Sequence, residues 1–324
     1  MLTGVRAWLL AMLALTIAAP SGVQAQDTGN WPNRPIRIIV NYGPGGSTDN
    51  ATRPYLQPLS AALGQQVVIE NKGGAAGAIG VETVVKSAPD GYTFLSTPVA
   101  AVTILPQARK AGYDTFKDLI PVIKFSDAIA PLTVHPSLGV STIQEFVALA
   151  KKQPGKLTYG GVGLGTLTQL TAIMLNKAMG IDVLYVPYRG AGEALPDVLS
   201  GVVQVYLDPN ALPQVSANKL KVLGVFDRER HPDFPNTPVM TEVYPELDMI
   251  GWFGIFAPAG TPEPIVRRMN AAFAEVSRSA EMKSHLLKFA IRTTVTTPEE
   301  FAAILRRDYD RYGALTREYK ITLD

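Results

Sequence analysis

Short apolar runs alternate with longer amphipathic stretches along nearly the whole chain. "PIRIIVNY" (35–42), "QVVIEN" (66–71) and "YTFLST" (92–97) have the length and the β-branched or aromatic content of buried strands. Between them, "STDNATRPYLQPLSAALG" (47–64) and "GAIGVETVVKSA" (77–88) carry helical spacing, and Gly64 closes the first. Pro54 and Pro58 fall inside that first helix. An interior proline costs about 3 kcal/mol, so a kink or a late helix start is expected there.

The alternation then resumes. Strands are predicted at 131–136, 157–161, 183–188, 202–208 and 221–226, with helices at 141–155, 166–180 and 193–201 between them. Ser141 or Thr142 can cap the helix at 141–155. "DMIGWFGIFAP" (248–258) reads as a further strand, after which the chain is mostly helical. The segment 261–279 opens with Thr261 as cap and Pro262 in the first turn, and 297–319 opens with Thr297, Pro298 and Glu300, a capping box. Strands interleaved with helices imply an α/β fold with largely parallel sheets under helical cover. No single linker is visible. The pattern suits two α/β lobes, with one crossing near 125–131 and a return near 245–250. Two crossings would make a hinge, with a cleft between the lobes.

Composition sharpens this picture in three places. With 324 residues, 47% of them hydrophobic, the chain can bury enough core for about two domains. Thirty basic against 28 acidic residues give a net charge of +2, and no basic stripe with interleaved aromatics occurs, so nucleic acid is not an expected partner. At the start, Arg6 precedes "AWLLAMLALTIAA", then Pro20, Ser21 and the small-residue site "VQA" at 23–25. That is the form of an export signal cleaved after Ala25; the alternative is a retained anchor. Cysteine is absent, which excludes disulfides, thiolate metal sites and cysteine nucleophiles. An exported chain without disulfides fits the periplasm.

Three glycine-rich turns carry the candidate chemistry: "GPGGST" (43–48), "GGAAGAIG" (73–80) and "GGVGLGT" (160–166). Each follows a predicted strand and precedes a helix, where unpaired N–H groups and the helix dipole stabilise an anion. The third has no Lys before its Thr, so it is not a Walker loop, and the second lacks dinucleotide spacing and an acidic residue about 20 positions later. Small carboxylates remain the natural guests. His135, His231 and His285 lack metal-ligand or nucleophile partners at the required spacings and read as solvated or structural. Asp49 and Asp208 each sit at a strand-to-turn transition. Asp49 is either a site residue or a charge at a helix N-terminus, and Asp208 either a site residue or the start of an Asx turn before Pro209. Arg189, in "VPYRG", can clamp a carboxylate or pair with Glu193 four residues on.

"WPNRPIRIIVNYGPGGSTDN", "LGQQVVIENKGGAAGAIGVETVVKSAPDGYTFL", "DLIPVIKF", "LTYGGVGLGTLTQL", "VPYRGAGEALPDVLSG", "WFGIFAPAGTPEPIVRRMN" and "TPEEFAAILRRDY" follow one another in order from residue 31. Together they resemble the substrate-binding proteins of tripartite tricarboxylate transporters, the Bug or TctC-like family. The resemblance implies an α/β, two-lobed periplasmic binding protein fold of type II character, with the ligand cleft between lobes joined by a two-crossing hinge. Lobe I would comprise 26–130 and 248–324 after a signal at 1–25, and lobe II 131–247.

It further implies a non-catalytic receptor, a monomer without cofactor or metal, that delivers a small organic carboxylate to a permease of one large and one small subunit. The family cradles one carboxylate in the first two loops of the first lobe, often through ordered water. Here that implies Tyr42, Gly46, Ser47, Thr48 and Asp49 in one loop and Ala76, Gly77 and Ala78 in the other. Thr166, Gln169, Arg189 and Asp208 would face the rest of the ligand. Three positions depart from the pattern: Gln169 stands where many relatives carry His, Arg189 where Lys is usual, and Tyr42 where Phe is usual. Gln169 removes a possible charge and is expected to favour a hydroxyl, amide or aromatic group over a third carboxylate. A sensor that docks on a histidine-kinase ectodomain and a carboxylate-processing enzyme remain as alternatives.

Overall fold

The computed structural model describes residues 28–323, so the expected export signal at 1–25 lies outside the described residues. From Trp31 onward the described chain forms one compact unit, and before it only the short turn Thr28–Asn30 is described. The strands are β1 (Ile36–Val40), β2 (Val67–Asn71), β3 (Thr93–Pro98), β4 (Leu119–Ala128), β5 (Ala130–Val134), β6 (Thr158–Val162), β7 (Leu184–Tyr188), β8 (Val205–Tyr206), β9 (Lys221–Phe226), β10 (Gly251–Pro258) and β11 (Ile291–Thr293). They build a six-stranded sheet, ordered β11-β4-β10-β3-β1-β2, and a five-stranded sheet, ordered β7-β6-β8-β5-β9.

Both sheets are mixed rather than largely parallel. β1 runs parallel to β2 and β3, and β6 runs parallel to β7 and β8. In contrast, β10 is antiparallel to β3 and β4, β11 to β4, and β5 to β8 and β9. The reason lies in how the chain changes sheets. It leaves the first sheet where β4 ends at Ala128 and enters the second at Ala130; β10 later brings it back beside β4, with Gly251 opposite Ala128. A strand that returns where another leaves must run against it.

The prolines of the first helix act as expected for a kink. A helix at Ser47–Thr52 gives way to a 3-10 turn at Arg53–Tyr55 holding Pro54, and a second helix runs Leu56–Leu63 to Gly64 in the left-handed region. Capping boxes form at Thr142 with Glu145 and at Thr297 with Glu300. Thr261 is not a cap: its hydroxyl donates to Pro258 O at 2.8 Å, and the helix begins at Glu263. The apolar pattern does not mark β4, β11 or the short helices Val99–Thr103 and Leu105–Ala108. In β4, Lys124 and Asp127 interrupt the apolar run, and they are buried together as an ion pair of 2.6 Å. The parallel strands β1 and β3 are almost wholly buried, so their carboxyl ends are held on a rigid base.

Candidate ligand-binding site

A parallel strand places its following loop at one edge of the sheet, and ligands in α/β proteins gather at that edge. Here the carboxyl ends of β1, β2 and β3 and those of β6, β7 and β8 open onto a shared cavity of about 890 Å3. The chain's two passages between the sheets supply further lining, including Ala128, Ala130, Gly251, Trp252 and Phe253.

The loops after β1 and β2 are locked to one another. Asn41 is fully buried and donates from Nδ2 to Gly77 O at 3.2 Å and to Thr97 Oγ1 at 2.9 Å. A Cβ on Gly77 would come within 2.5 Å of that same Nδ2, and Gly77 has φ +93°, so only glycine fits. Tyr42 donates its hydroxyl to Ala76 O at 2.9 Å, and burial pushes its pKa up. Ala75 and Ala76 have φ of 50° and 55°, a left-handed conformation that alanine adopts at a cost of about 1–3 kcal/mol. Gly46 precedes the helix Ser47–Thr52 with no side chain to cap it, so the N–H groups of Ser47 and Thr48 have no protein acceptor among the described residues. No charged side chain from the first sheet lines the cavity among the described residues.

The second sheet contributes the charge. Thr166 caps the helix Leu167–Met179, and Tyr185 donates to Gly163 O at 2.8 Å, shaping the third glycine turn. Arg189 lines the cavity from an exposed position, and its guanidinium has no hydrogen-bond or ion-pair partner among the described residues. Glu193 instead accepts from the backbone N–H of Arg189 at 3.1 Å, so the side-chain pair does not form. Asp208 is buried, and its Oδ1 accepts from Ser47 Oγ at 2.8 Å and from Asn210 N at 2.9 Å. Burial raises its pKa, and those two hydrogen bonds offset only part of the rise. Behind the cavity wall, Trp252 donates its indole N–H to Asp308 Oδ2 at 2.8 Å and meets the Phe301 ring edge-on.

A family model described as "Tripartite tricarboxylate transporter family receptor" matches residues 52–321. The chain belongs to this family. It is 30% identical to Protein BugT of Bordetella pertussis over 96% of this chain and 97% of that protein. Among solved structures it is similar to R. palustris Rpa4515 with adipate, at 28% identity, TM-score 0.85, and coverage of 89% and 97% of the two chains. It is also similar to MatC (Rpa3494) from Rhodopseudomonas palustris with bound malate, at 27% identity, TM-score 0.81, and coverage of 88% and 99%.

Of the residues that the resemblance singled out, Tyr42, Gly46, Ser47, Thr48, Ala76, Gly77, Thr166, Arg189 and Asp208 line the receptor's cavity. Asp49, Ala78 and Gln169 do not. Asp49 braces its loop from behind, accepting from Gly45 N at 3.0 Å, Asn71 Nδ2 at 3.1 Å and Arg53 Nε at 2.9 Å. Ala78 is buried in the core, and Gln169 turns its Oε1 back onto Gly165 N at 2.7 Å. Gln169 therefore holds the third glycine turn in shape. Sequence reasoning passes over Pro98, Val99, Ala100, Met249, Trp252 and Phe253, all of which line the cavity. Their apolar character reads as core; only the position of β3 beside β1 could bring 98–100 to notice. His231 is fully buried, its Nδ1 accepting from Asp233 N at 3.2 Å, and none of the three histidines lines the cavity.

Proposed function

We propose that this receptor captures a small organic carboxylate in the cavity and hands it, unaltered, to an integral-membrane permease of one large and one small subunit. The observation that carries this reading is the pair of loops after β1 and β2. Both line the cavity without any cationic side chain, and in the loop after β1 the N–H groups of Ser47 and Thr48 have no side-chain cap. Such donors stabilise a carboxylate and ask nothing of the rest of the ligand. Tyr42, Gly46, Ser47, Thr48, Ala76 and Gly77 hold this first carboxylate; Thr166, Arg189 and Asp208 meet the remainder. Arg189, unpaired at the rim, takes a second carboxylate. Asp208 and Glu193 also line the cavity and repel a third, so mono- and dicarboxylates are preferred over tricarboxylates.

Residues 26–130 with 248–324 and residues 131–247 act as two lobes, and the adjacent passages at Ala128 and Gly251 serve as their hinge. The mature chain is a periplasmic monomer freed of residues 1–25, with no catalytic step and no cofactor. The adipate and malate of the similar structures support the ligand class.

A thermal-shift series on the chain lacking residues 1–25 tests the proposal. A ligand at about 100 times its Kd adds about 2.7 kcal/mol and raises Tm by several degrees. Mono- or dicarboxylates are expected to give that rise and to be recovered intact by mass spectrometry. No rise with any acid, and no acid released on denaturation, overturns the reading. A tricarboxylate that outcompetes every smaller acid overturns the charge argument.

A further inference from the structure

The loop after β1 in the first sheet touches the loop after β8 in the second through two pairs of side chains, one of which stands outside the cavity. Asn50 donates from Nδ2 to Asn210 Oδ1 at 3.0 Å and to Gly45 O at 3.2 Å. Asn210 sends its own Nδ2 toward Gly45 O at 3.5 Å. Ser47 and Asp208 bridge the same two loops at 2.8 Å. Asn210 is only 9% exposed, and its backbone is held in the 3-10 turn Pro209–Ala211 that Asp208 caps. Neither Asn50 nor Asn210 lines the cavity.

We infer that Asn50 and Asn210 are positioning residues: their amides clasp the two sheets together beside the cavity and set how long a ligand is retained. Ser47 and Asp208 reach the cavity and answer to the ligand, whereas the two asparagines bond only to protein. Both are neutral, so the clasp needs no ligand and no particular pH. Breaking it frees the loops to separate without removing any group that a ligand touches. Each hydrogen bond lost corresponds to about a three- to tenfold weaker closure.

The clasp goes beyond the carboxylate reading and is tested apart from it. Asn50→Ala, Asn210→Ala and the double variant are compared with the unaltered protein, first without ligand. Small-angle scattering and amide hydrogen exchange are followed at residues 43–50 and 207–212. Each single variant is expected to enlarge the radius of gyration and to speed exchange in the loop opposite the substitution. The double variant should add little to either single one, because both remove the same contact. Unchanged scattering and exchange in both single variants overturn the proposal, as does full additivity. With adipate as the probe, a faster off-rate at an unchanged on-rate is expected. If adipate does not bind at all but the ligand-free exchange responds, the clasp stands and the carboxylate reading is what fails.

Discussion

Two buried aspartates stand on opposite sides of the same junction, and they are treated in opposite ways. Asp49, in the loop after β1, is 2% exposed; Asp208, after β8, is 5% exposed. Burial pushes both carboxyls up. For Asp49 the hydrogen bonds from Arg53, Gly45 and Asn71 and the Arg53 charge reverse this and bring its pKa below the ordinary value. Among the described residues Asp208 has no cation beside it, only Ser47 and Asn210, and its pKa stays raised. The difference separates a brace from a candidate site residue. Asp49 commits its hydrogen-bonding capacity to Gly45, Arg53 and Asn71 and does not line the cavity, while Asp208 carries an unneutralised burial cost at the cavity wall. A group kept in an unfavourable environment at a concave site is a functional candidate, and a fully satisfied one is structural.

The largest effect should come from breaking the brace. Asp49→Ala leaves Gly45 N without its acceptor, takes one of two acceptors from Asn71 Nδ2, which keeps Tyr42 O, and removes the carboxylate partner of Arg53. Gly45 N is the costly loss; Arg53 is half exposed, so solvent screens its share. Destabilisation of about 2–3 kcal/mol is expected, read as a fall in Tm of about 5 °C or more, together with lost ligand binding. A variant that binds normally with an unchanged melt would show that Asp49 braces nothing.

A smaller and more selective effect is expected at the opposite loop. Arg189→Gln should weaken adipate about tenfold or more by calorimetry and leave both Tm and hexanoate binding unchanged, because the guanidinium has no protein partner to lose. Equal losses for adipate and hexanoate would remove the second-carboxylate role.

The smallest effect is the pH signature of Asp208. Because its folded pKa is raised, the native state binds more protons than the unfolded chain between the ordinary aspartate pKa and the raised one. The stability it contributes is therefore fully present below the ordinary value and is lost as pH rises through the raised one. Asp49, with a lowered pKa, has the opposite sign and loses its contribution as pH falls. Across the Asp208 window, Tm of Asp208→Asn minus Tm of the unaltered protein should grow with pH, since an amide keeps the acceptor for Ser47 and Asn210 without the charge. A difference that stays flat from about pH 4 to about pH 7 would place Asp208 with Asp49 as a satisfied group.

Much of the fold is legible in short stretches of the chain. The strands at 36–40, 67–71, 93–98 and 221–226 announce themselves because β-branched and aromatic runs bounded by glycine and polar turns have few other uses. Thr297 with Glu300, and Gly64 past a helix end, are local signals that need no distant partner. β4 escapes such reading because Lys124 and Asp127 break its pattern, and only their pairing permits their burial. Gln169 has the look of a ligand group and instead holds Gly165, a choice made by the local turn rather than by residue type.

The sequence alone determined that the chain alternates strands with helices and that glycine-rich turns follow several of those strands, and it is the source of the expectation that backbone groups bind an anion. Each of these depends on neighbours within a few residues. Only the tertiary structure decided which turns share a cavity, that Trp252 and Phe253 line it, and that Asn50 meets Asn210. Strand order and direction are set by where the chain passes between sheets, and that depends on contacts between residues more than a hundred positions apart, such as Ala128 with Gly251. Local propensity carries no record of such pairings, because their free energy exists only once the two sheets are built.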